Sequence, residues 1–343
     1  MLGLSSAVSR SLRGHMDRRQ FISLIGGGIT LLPSAARSQQ AAMPVIGFLG
    51  SETATSWDDR LTAFRQGLGD AGFAEGRNIT IEYRWAEGHN DKLPMLAADL
   101  VQRQISALVV LGGTASAVAA KAATAVIPVV FRIAVDPVEA ELVASLNRPG
   151  GNVTGVTTMG ADLGPKQLEL LRELAPAATT VALLSNPTNP SIARIQLRDV
   201  PEAARKLGIQ LHVLNASEER ELDGVFAKMK ELRVGGLVVG ADTFLNAKSE
   251  QLAALAGRYG IASISPYKEF TKAGGLMSYG ASIAGASRQA GVYTGRILKG
   301  EKPADLPIQQ PTLFEFVVNV KSAKALGLSV PPTLLSRADD VIE

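Results

Sequence analysis

From residue 44 onward the chain alternates almost without a break between short apolar runs and longer stretches with helical spacing. Short runs rich in Val, Ile and Leu with Gly at their ends read as buried strands. Longer stretches with apolar side chains three or four apart read as amphipathic helices. Parallel neighbours need a crossover, and a crossover helix must bury its apolar stripe, so the alternation predicts parallel sheets covered by helices on both faces. The fold class is α/β.

Strands are expected at 45–50 (VIGFLG), 79–85 (ITIEYRW), 107–112 (ALVVLG), 128–135 (PVVFRIAV) and 153–157. Between them fall helices at 61–71 and 92–104, an Ala-rich helix from Ala115, and a helix at 138–146. The pattern then restarts, with helices at 165–174, 192–207, 219–232 and 247–259. The strands of this second set are 180–185, 210–214, 236–240, 262–265 and 275–279. Two units of about five strands each follow, joined near 159–178 and without repetition of one another's sequence. A length of 343 residues suits two lobes better than one.

After Gly280 the chain still holds a helix at 287–299, a Pro-rich link at 302–311, a strand at 314–320 and a terminal helical stretch. An amphipathic helix left over after the second sheet must bury its face somewhere. The expected organisation is two Rossmann-like lobes. The N-terminal lobe spans 39–160 and takes back a return helix within 283–300. The C-terminal lobe spans 161–282 and includes the segment 305–343. Two or three crossovers then form a hinge.

Residues 1–38 read as a cleaved export signal. Arg18-Arg19 stands before Phe21-Ile22 and a Gly-rich apolar run, in the manner of a twin-arginine signal, and Ser34-Ala35-Ala36-Arg37-Ser38 offers a cleavage site after Ser38. Met16 directly before this motif is a second candidate start. The run is too short and too rich in Gly to span a bilayer comfortably. The mature chain is expected to be free in the periplasm, since the sequence has no cysteine to carry a lipid. The same absence excludes disulfides, cysteine metal sites and a thiol nucleophile.

The leader also explains the formal charge of +3. Of 35 basic and 32 acidic side chains, five and one fall within residues 1–38, leaving 30 against 31. No basic cluster remains to grip a phosphate backbone, so no nucleic-acid partner is expected.

In doubly wound sheets, ligands bind beyond the carboxyl ends of the strands. Six loops there carry small or polar residues. They contain Ser51, Gly113 with Thr114 and Ala115, Asp136, Asn186 with Asn189, Asp242, and Tyr279 with Gly280. Gly112-Gly113-Thr114 opens a helix where free amides and the helix dipole favour a carboxylate; a glycine turn capped by Thr114 explains the same residues. Asp136-Pro137 is ordinary helix punctuation, and Asn186-Pro187 and Asn189-Pro190 are equally good turns. Asp242 closes an apolar strand and is the better candidate for a ligand ammonium, with capping as its rival role. Trp57, Trp85 and Tyr279 lie near strand ends, where an aromatic can wall a pocket or simply pack.

Catalytic motifs are missing: there is no G-x-G-x-x-G after the first strand, no P-loop, no G-x-S-x-G and no H-E-x-x-H. His89 and His212 have no metal partner by spacing. No cofactor, metal or catalytic residue is expected.

Several stretches together resemble one known family: MPVIGFLGS, EYRWAEG, LVVLGGTASAVAAKAAT, LNRPGGNVTGV, GGLVVGAD, AGGLMSYG and GRILKGEKPADLP. This is the family of ABC transporter substrate-binding proteins that includes tryptophan- and tyrosine-binding components, and the resemblance runs from about Met43 to the C-terminus. It implies a type I periplasmic-binding (Venus-flytrap) fold with a small carboxylate, amino acid or aromatic ligand between the lobes, and ABC permease and ATPase subunits as partners of a monomer. It further implies that the loop at Gly113, Thr114 and Ala115 helps hold a ligand carboxylate, with Asp136, Asn186, Asp242 and Tyr279-Gly280 facing the same cleft. The sequence departs from these relatives at Asp242-Thr243-Phe244 and Ser51-Glu52-Thr53. A sensing role for the same fold, or an enzyme on a Rossmann-like sheet, is the alternative.

Overall fold

A computed structural model describes residues 43–312 and 314–343. The expected export signal, with Arg18 and Arg19, lies outside the described residues. The first sheet is built by β1 (Val45–Gly50), α1 (Asp58–Asp70), β2 (Thr80–Trp85), α2 (Leu93–Gln102), β3 (Ala107–Val110), α3 (Thr114–Ala123), β4 (Val129–Ile133) and β5 (Val153–Thr157). Its order is β2-β1-β3-β4-β5, with every pair parallel.

The chain continues through α4 (Gly164–Leu174), β6 (Thr180–Ser185), α5 (Pro190–Lys206), β7 (Gln210–Asn215), α6 (Leu222–Glu231) and β8 (Gly236–Val239). There follow α7 (Thr243–Ala247), α8 (Ser249–Tyr259), β9 (Ala262–Ser265), α9 (Lys268–Lys272) and β10 (Met277–Ala281). The last elements are α10 (Ile283–Leu298), β11 (Phe314–Asn319), α11 (Val320–Ala325), α12 (Pro332–Leu335) and β12 (Asp340–Ile342). The second sheet runs β12-β11-β10-β9-β8-β6-β7, with β10 and β11 antiparallel and the other pairs parallel.

Each sheet is covered on both faces. In the first lobe, Leu93, Ala97 and Leu100 of α2 and Ala117 and Ala120 of α3 pack on Leu108, Val110, Val129 and Phe131. On the other face, Leu61, Phe64 and Leu68 of α1 and Ala290, Tyr293 and Ile297 of α10 pack on Ile46, Phe48, Val109 and Val130. Full burial of a Leu, Ile, Val or Phe side chain stabilises by about 1.5–3 kcal/mol. Helix α10 therefore returns to the first lobe, and its approach to α1 is close. A Cβ on Gly67 would stand 1.9 Å from the Arg288 carbonyl oxygen, and one on Gly291 would stand 2.2 Å from that of Phe64. Only glycine lets the two backbones meet this way.

Three segments connect the lobes. After β5 the chain passes through Met159, held at φ 48°, into α4. After β10 it reaches Ser282, whose hydroxyl accepts the Gly285 N–H at 3.2 Å and caps α10. Gln309 then lies along β5, with its carbonyl accepting Thr157 N–H at 2.9 Å and its own N–H donating to Gly155 at 3.0 Å, before the chain enters β11.

Two expectations are corrected. Residues 138–146 form turns rather than a helix. Asp136 Oδ1 accepts Val138 N–H at 2.6 Å, but Glu141 adopts φ 55° and the Ala144 N–H turns to the Pro149 carbonyl at 2.9 Å. The second sheet has seven strands rather than about five, because β11 and β12 extend it beyond β10. Among the described residues no helix is long and apolar enough to cross a membrane.

Candidate functional site

The first sheet reverses its strand order at β1, which has β2 on one side and β3 on the other; the second does so at β6, between β7 and β8. Such switch points open crevices beyond the carboxyl ends of the strands. The two crevices face one another, because Ser51 Oγ, just past β1, lies 3.4 Å from Thr243 Oγ1, just past β8. Gly113 closes the same gap. It sits at φ 88°, and a Cβ there would stand 3.0 Å from the Thr243 methyl group.

The first lobe presents the opening turn of α3. Thr114 and Ser116 are 1% and 0% exposed, and neither side-chain oxygen has a hydrogen-bond partner among the described residues. A Cβ on Gly112 would fall 2.6 Å from both Ser116 Oγ and the Ser51 nitrogen, so these groups crowd one point. Ala115 is half-buried and packs against the α2–α3 side of the core.

Beside this turn lies a buried charged cluster. Glu52 pairs with Arg60 at 3.1 Å, and Arg60 stands over the Trp57 ring at 4.9 Å. Arg132, projecting from β4, stands 6.0 Å from the same ring and donates through Nη2 to the Leu111 carbonyl. Burial, and then the nearby Arg60 charge, hold the Arg132 guanidinium down to about 10. It therefore remains a cation at neutral pH. From the second lobe, Tyr267 is buried against this cluster, and burial followed by the Asp242 charge pushes its phenol well up.

The second lobe's switch point is internally satisfied. Asp242 is 2% exposed and accepts Asn186 Nδ2 at 3.0 Å and Asn189 Nδ2 at 3.1 Å. It also accepts the Phe244 and Leu245 amides at 2.9 and 3.3 Å, so it is the N-cap of α7. Asn186 and Asn189 are thus brought to Asp242, and Asn186 Oδ1 further accepts Thr188 N–H at 3.0 Å.

The remaining sequence candidates stand apart from this meeting point. Asp136 caps its own turn. The Tyr279 ring stacks on Phe314 at 5.8 Å and meets Phe316 at 6.4 Å, on the core side of β10. Its neighbours Ser278 and Gly280 point the other way and line a hollow of about 400 Å³ with Asp59, Thr62 and Glu269. A second hollow of about 520 Å³ lies among Glu52, Thr53, His89, Glu218 and Phe244. Both are of ligand-pocket size.

Sequence reasoning passed over Arg60, Arg132 and Tyr267, named Thr243 only as part of the Asp242 loop, and weighed Trp57 as a pocket wall or a packing residue. Arg132 carried a legible signal: a lone guanidinium inside the apolar run PVVFRIAV has to be buried, and buried Arg is rare without a partner. Arg60 and Tyr267 carried none, since a polar residue on an amphipathic helix or after a strand is commonplace.

Comparison with known proteins agrees with this architecture. The chain is 27% identical over 274 residues to a tyrosine-binding protein of Clostridioides difficile, covering 80% of this chain and 78% of that protein. A domain from Streptococcus pneumoniae solved in complex with L-Trp superposes with a TM-score of 0.78 at 25% identity, covering 87% of this chain and 99% of the other. A ligand-free, open substrate-binding protein from Clostridium difficile has the same identity and coverage but a TM-score of 0.61. More distant neighbours, such as a periplasmic-binding/LacI-type protein from Alkaliphilus metalliredigens at 11% identity and TM-score 0.55, share the fold. A model of the family described as ABC transporter substrate binding protein matches residues 53–342, and with most of its length matched the chain belongs to that family.

Proposed function

We propose that the protein is the periplasmic solute-binding component of an ABC transporter, closing its two lobes on a small carboxylate or amino-acid-like ligand and presenting it to a permease and its ATPase. The observation that carries this reading is the meeting of two strand-order switch points, with Thr114 and Ser116 hydroxyls buried there and unpartnered. Buried polar groups are normally hydrogen-bonded, so a cluster of unused ones marks where a ligand supplies the missing partners. The Ser51–Thr243 contact and the closer superposition on the L-Trp complex than on the open relative support a closed arrangement of the lobes. A ligand that touches both lobes only in that arrangement draws the open–closed equilibrium toward it.

The relatives' tyrosine and L-Trp support an amino-acid-like or aromatic acid as the ligand. The α3 amides and the Thr114 hydroxyl are suited to its carboxylate. Export rests on the Arg18-Arg19 leader, and we read the protein as a monomer. We do not read it as an enzyme, because the family it belongs to is described by substrate binding for a transporter. A thermal-shift screen of amino acids, aromatic acids, aliphatic carboxylates and amines tests the proposal. A true ligand at 100 times its dissociation constant adds about 2.7 kcal/mol of stability. A screen in which no compound raises the melting temperature contradicts it.

A further inference from the structure

Arg132 is the most exceptional side chain at the cleft. It projects from an otherwise apolar strand and is 4% exposed. Among the described residues its one hydrogen bond runs from Nη2 to the neutral Leu111 carbonyl, and its Nε has no partner. Glu52 and Glu269 act on it only through space: Glu52 is ion-paired with Arg60 at 3.1 Å, and among the described residues no carboxylate lies within ion-pair distance of Arg132. Taking a guanidinium out of water without a counter-charge is costly, and a structure that keeps one buried in this state needs a reason.

The surroundings supply one. Leu111, which Arg132 holds, leads directly into Gly112, Gly113 and the first turn of α3. There the Thr114 and Ser116 hydroxyls are buried and unpartnered, and Ser116 Oγ lies against the point where a Gly112 Cβ would be. A guanidinium edge, two hydroxyls and the free amides of a ten-residue helix therefore converge on residues 111–116. Every one of these groups can donate, and Arg offers its donors in a planar fork that matches a carboxylate. Asp242, an acceptor, does not compete for this role: its Oδ1 takes Asn186 and two amides and its Oδ2 takes Asn189.

We infer that Arg132 is the anchor for the ligand's anionic group: the carboxylate of the bound solute sits on the guanidinium Nε edge, and the Thr114 and Ser116 hydroxyls complete its hydrogen bonds. The cleft then selects acids over amines, whatever else the ligand carries. This rests on the solute-binding reading above and adds to it the charged residue that anchors the carboxylate.

Three matched probes test it by calorimetry: L-tyrosine, 3-(4-hydroxyphenyl)propanoate, which lacks the ammonium, and tyramine, which lacks the carboxylate. Wild-type protein is expected to bind at least one of the two acids, and to bind tyramine about tenfold more weakly or worse. Arg132→Met should weaken the acids by about 10- to 150-fold, the range for a lost hydrogen bond to a charged group, and leave tyramine unchanged. Arg132→Lys, which keeps the charge and loses the fork, should fall between. Tyramine binding as tightly as the acids, or acids indifferent to Arg132→Met, overturns the inference.

If none of the three probes binds, the ligand-free melting temperature decides. Arg132→Met should melt at or above wild type, because it removes a buried cation that no carboxylate contacts among the described residues, and a lower melting temperature marks Arg132 as structural and overturns the inference. The two failures are separable. A protein that no compound of the wider screen stabilises sinks the solute-binding reading, whereas a bound ligand that ignores Arg132→Met sinks only the anchor.

Discussion

The two lobes meet at equivalent places in their sheets, yet they treat their polar groups in opposite ways. At the second lobe's switch point, Asp242 gathers Asn186, Asn189 and two α7 amides into a closed network. At the first lobe's, Thr114, Ser116 and the Arg132 Nε are as deeply buried but have no partners among the described residues. A saturated network stiffens the loops that form it, whereas an unsaturated one stores hydrogen-bonding capacity for something that arrives later. The comparison assigns the second lobe the part of a pre-formed wall and the first lobe the part of the anchor.

The largest effect that sharpens this contrast is expected at Asp242. Asp242→Ala removes an N-cap and strands the buried Asn186 and Asn189 amides. Losing a buried, multiply bonded charge costs about 3–5 kcal/mol, read as a fall in unfolding free energy by urea denaturation. Stability within 1 kcal/mol of wild type, on the order of an exposed site, would break the comparison by showing that the network does not hold the lobe together.

Thr114→Val should behave in the opposite way. It keeps the side-chain shape and removes only a hydroxyl that lacks a partner. The same denaturation curve should be unchanged or shifted to higher urea. Affinity for a ligand found in the screen should fall by about 1–3 kcal/mol, because its acceptor is left unpaired in the closed cleft, and calorimetry measures this. A loss of apo stability with affinity retained would make Thr114 a helix cap, like Asp242.

The framework was legible in the sequence because it rests on periodicity. The runs VIGFLG, ALVVLG and GLVVG are strands whose side chains are buried nearly throughout, so each apolar residue reports the same fact. Helix α10 was legible for the same reason, since its apolar stripe needed a partner and found α1. The turns at 138–146 were not, because an apolar pattern at helical spacing does not register that Glu141 breaks into positive φ. Strand β12, three residues long, is below what any pattern can mark.

The site was legible only in part. Gly113, Thr114, Asn186 and Asp242 stand at strand ends, where topology alone directs attention. Which of them are already satisfied depends on side chains 53 and 56 positions apart, as between Asn189 or Asn186 and Asp242. Tyr279 shows the same limit from the other side. Its place at the end of a strand is right for a pocket, but the pleat turns its ring toward Phe314 and Phe316.

The contrast between the lobes is tested most directly by amide hydrogen exchange on the unmodified protein, with and without a stabilising ligand from the screen. Anchoring by the first lobe predicts strong ligand-induced protection of the amides at 113–116, ahead of Ala117, whose N–H is the first to find an intrahelical acceptor, the Gly113 carbonyl at 3.2 Å. It predicts little change at 186–189 and 243–246, where the Asp242 network already holds the backbone. Protection concentrated at 186–189 and 243–246, with 113–116 unchanged, would contradict it.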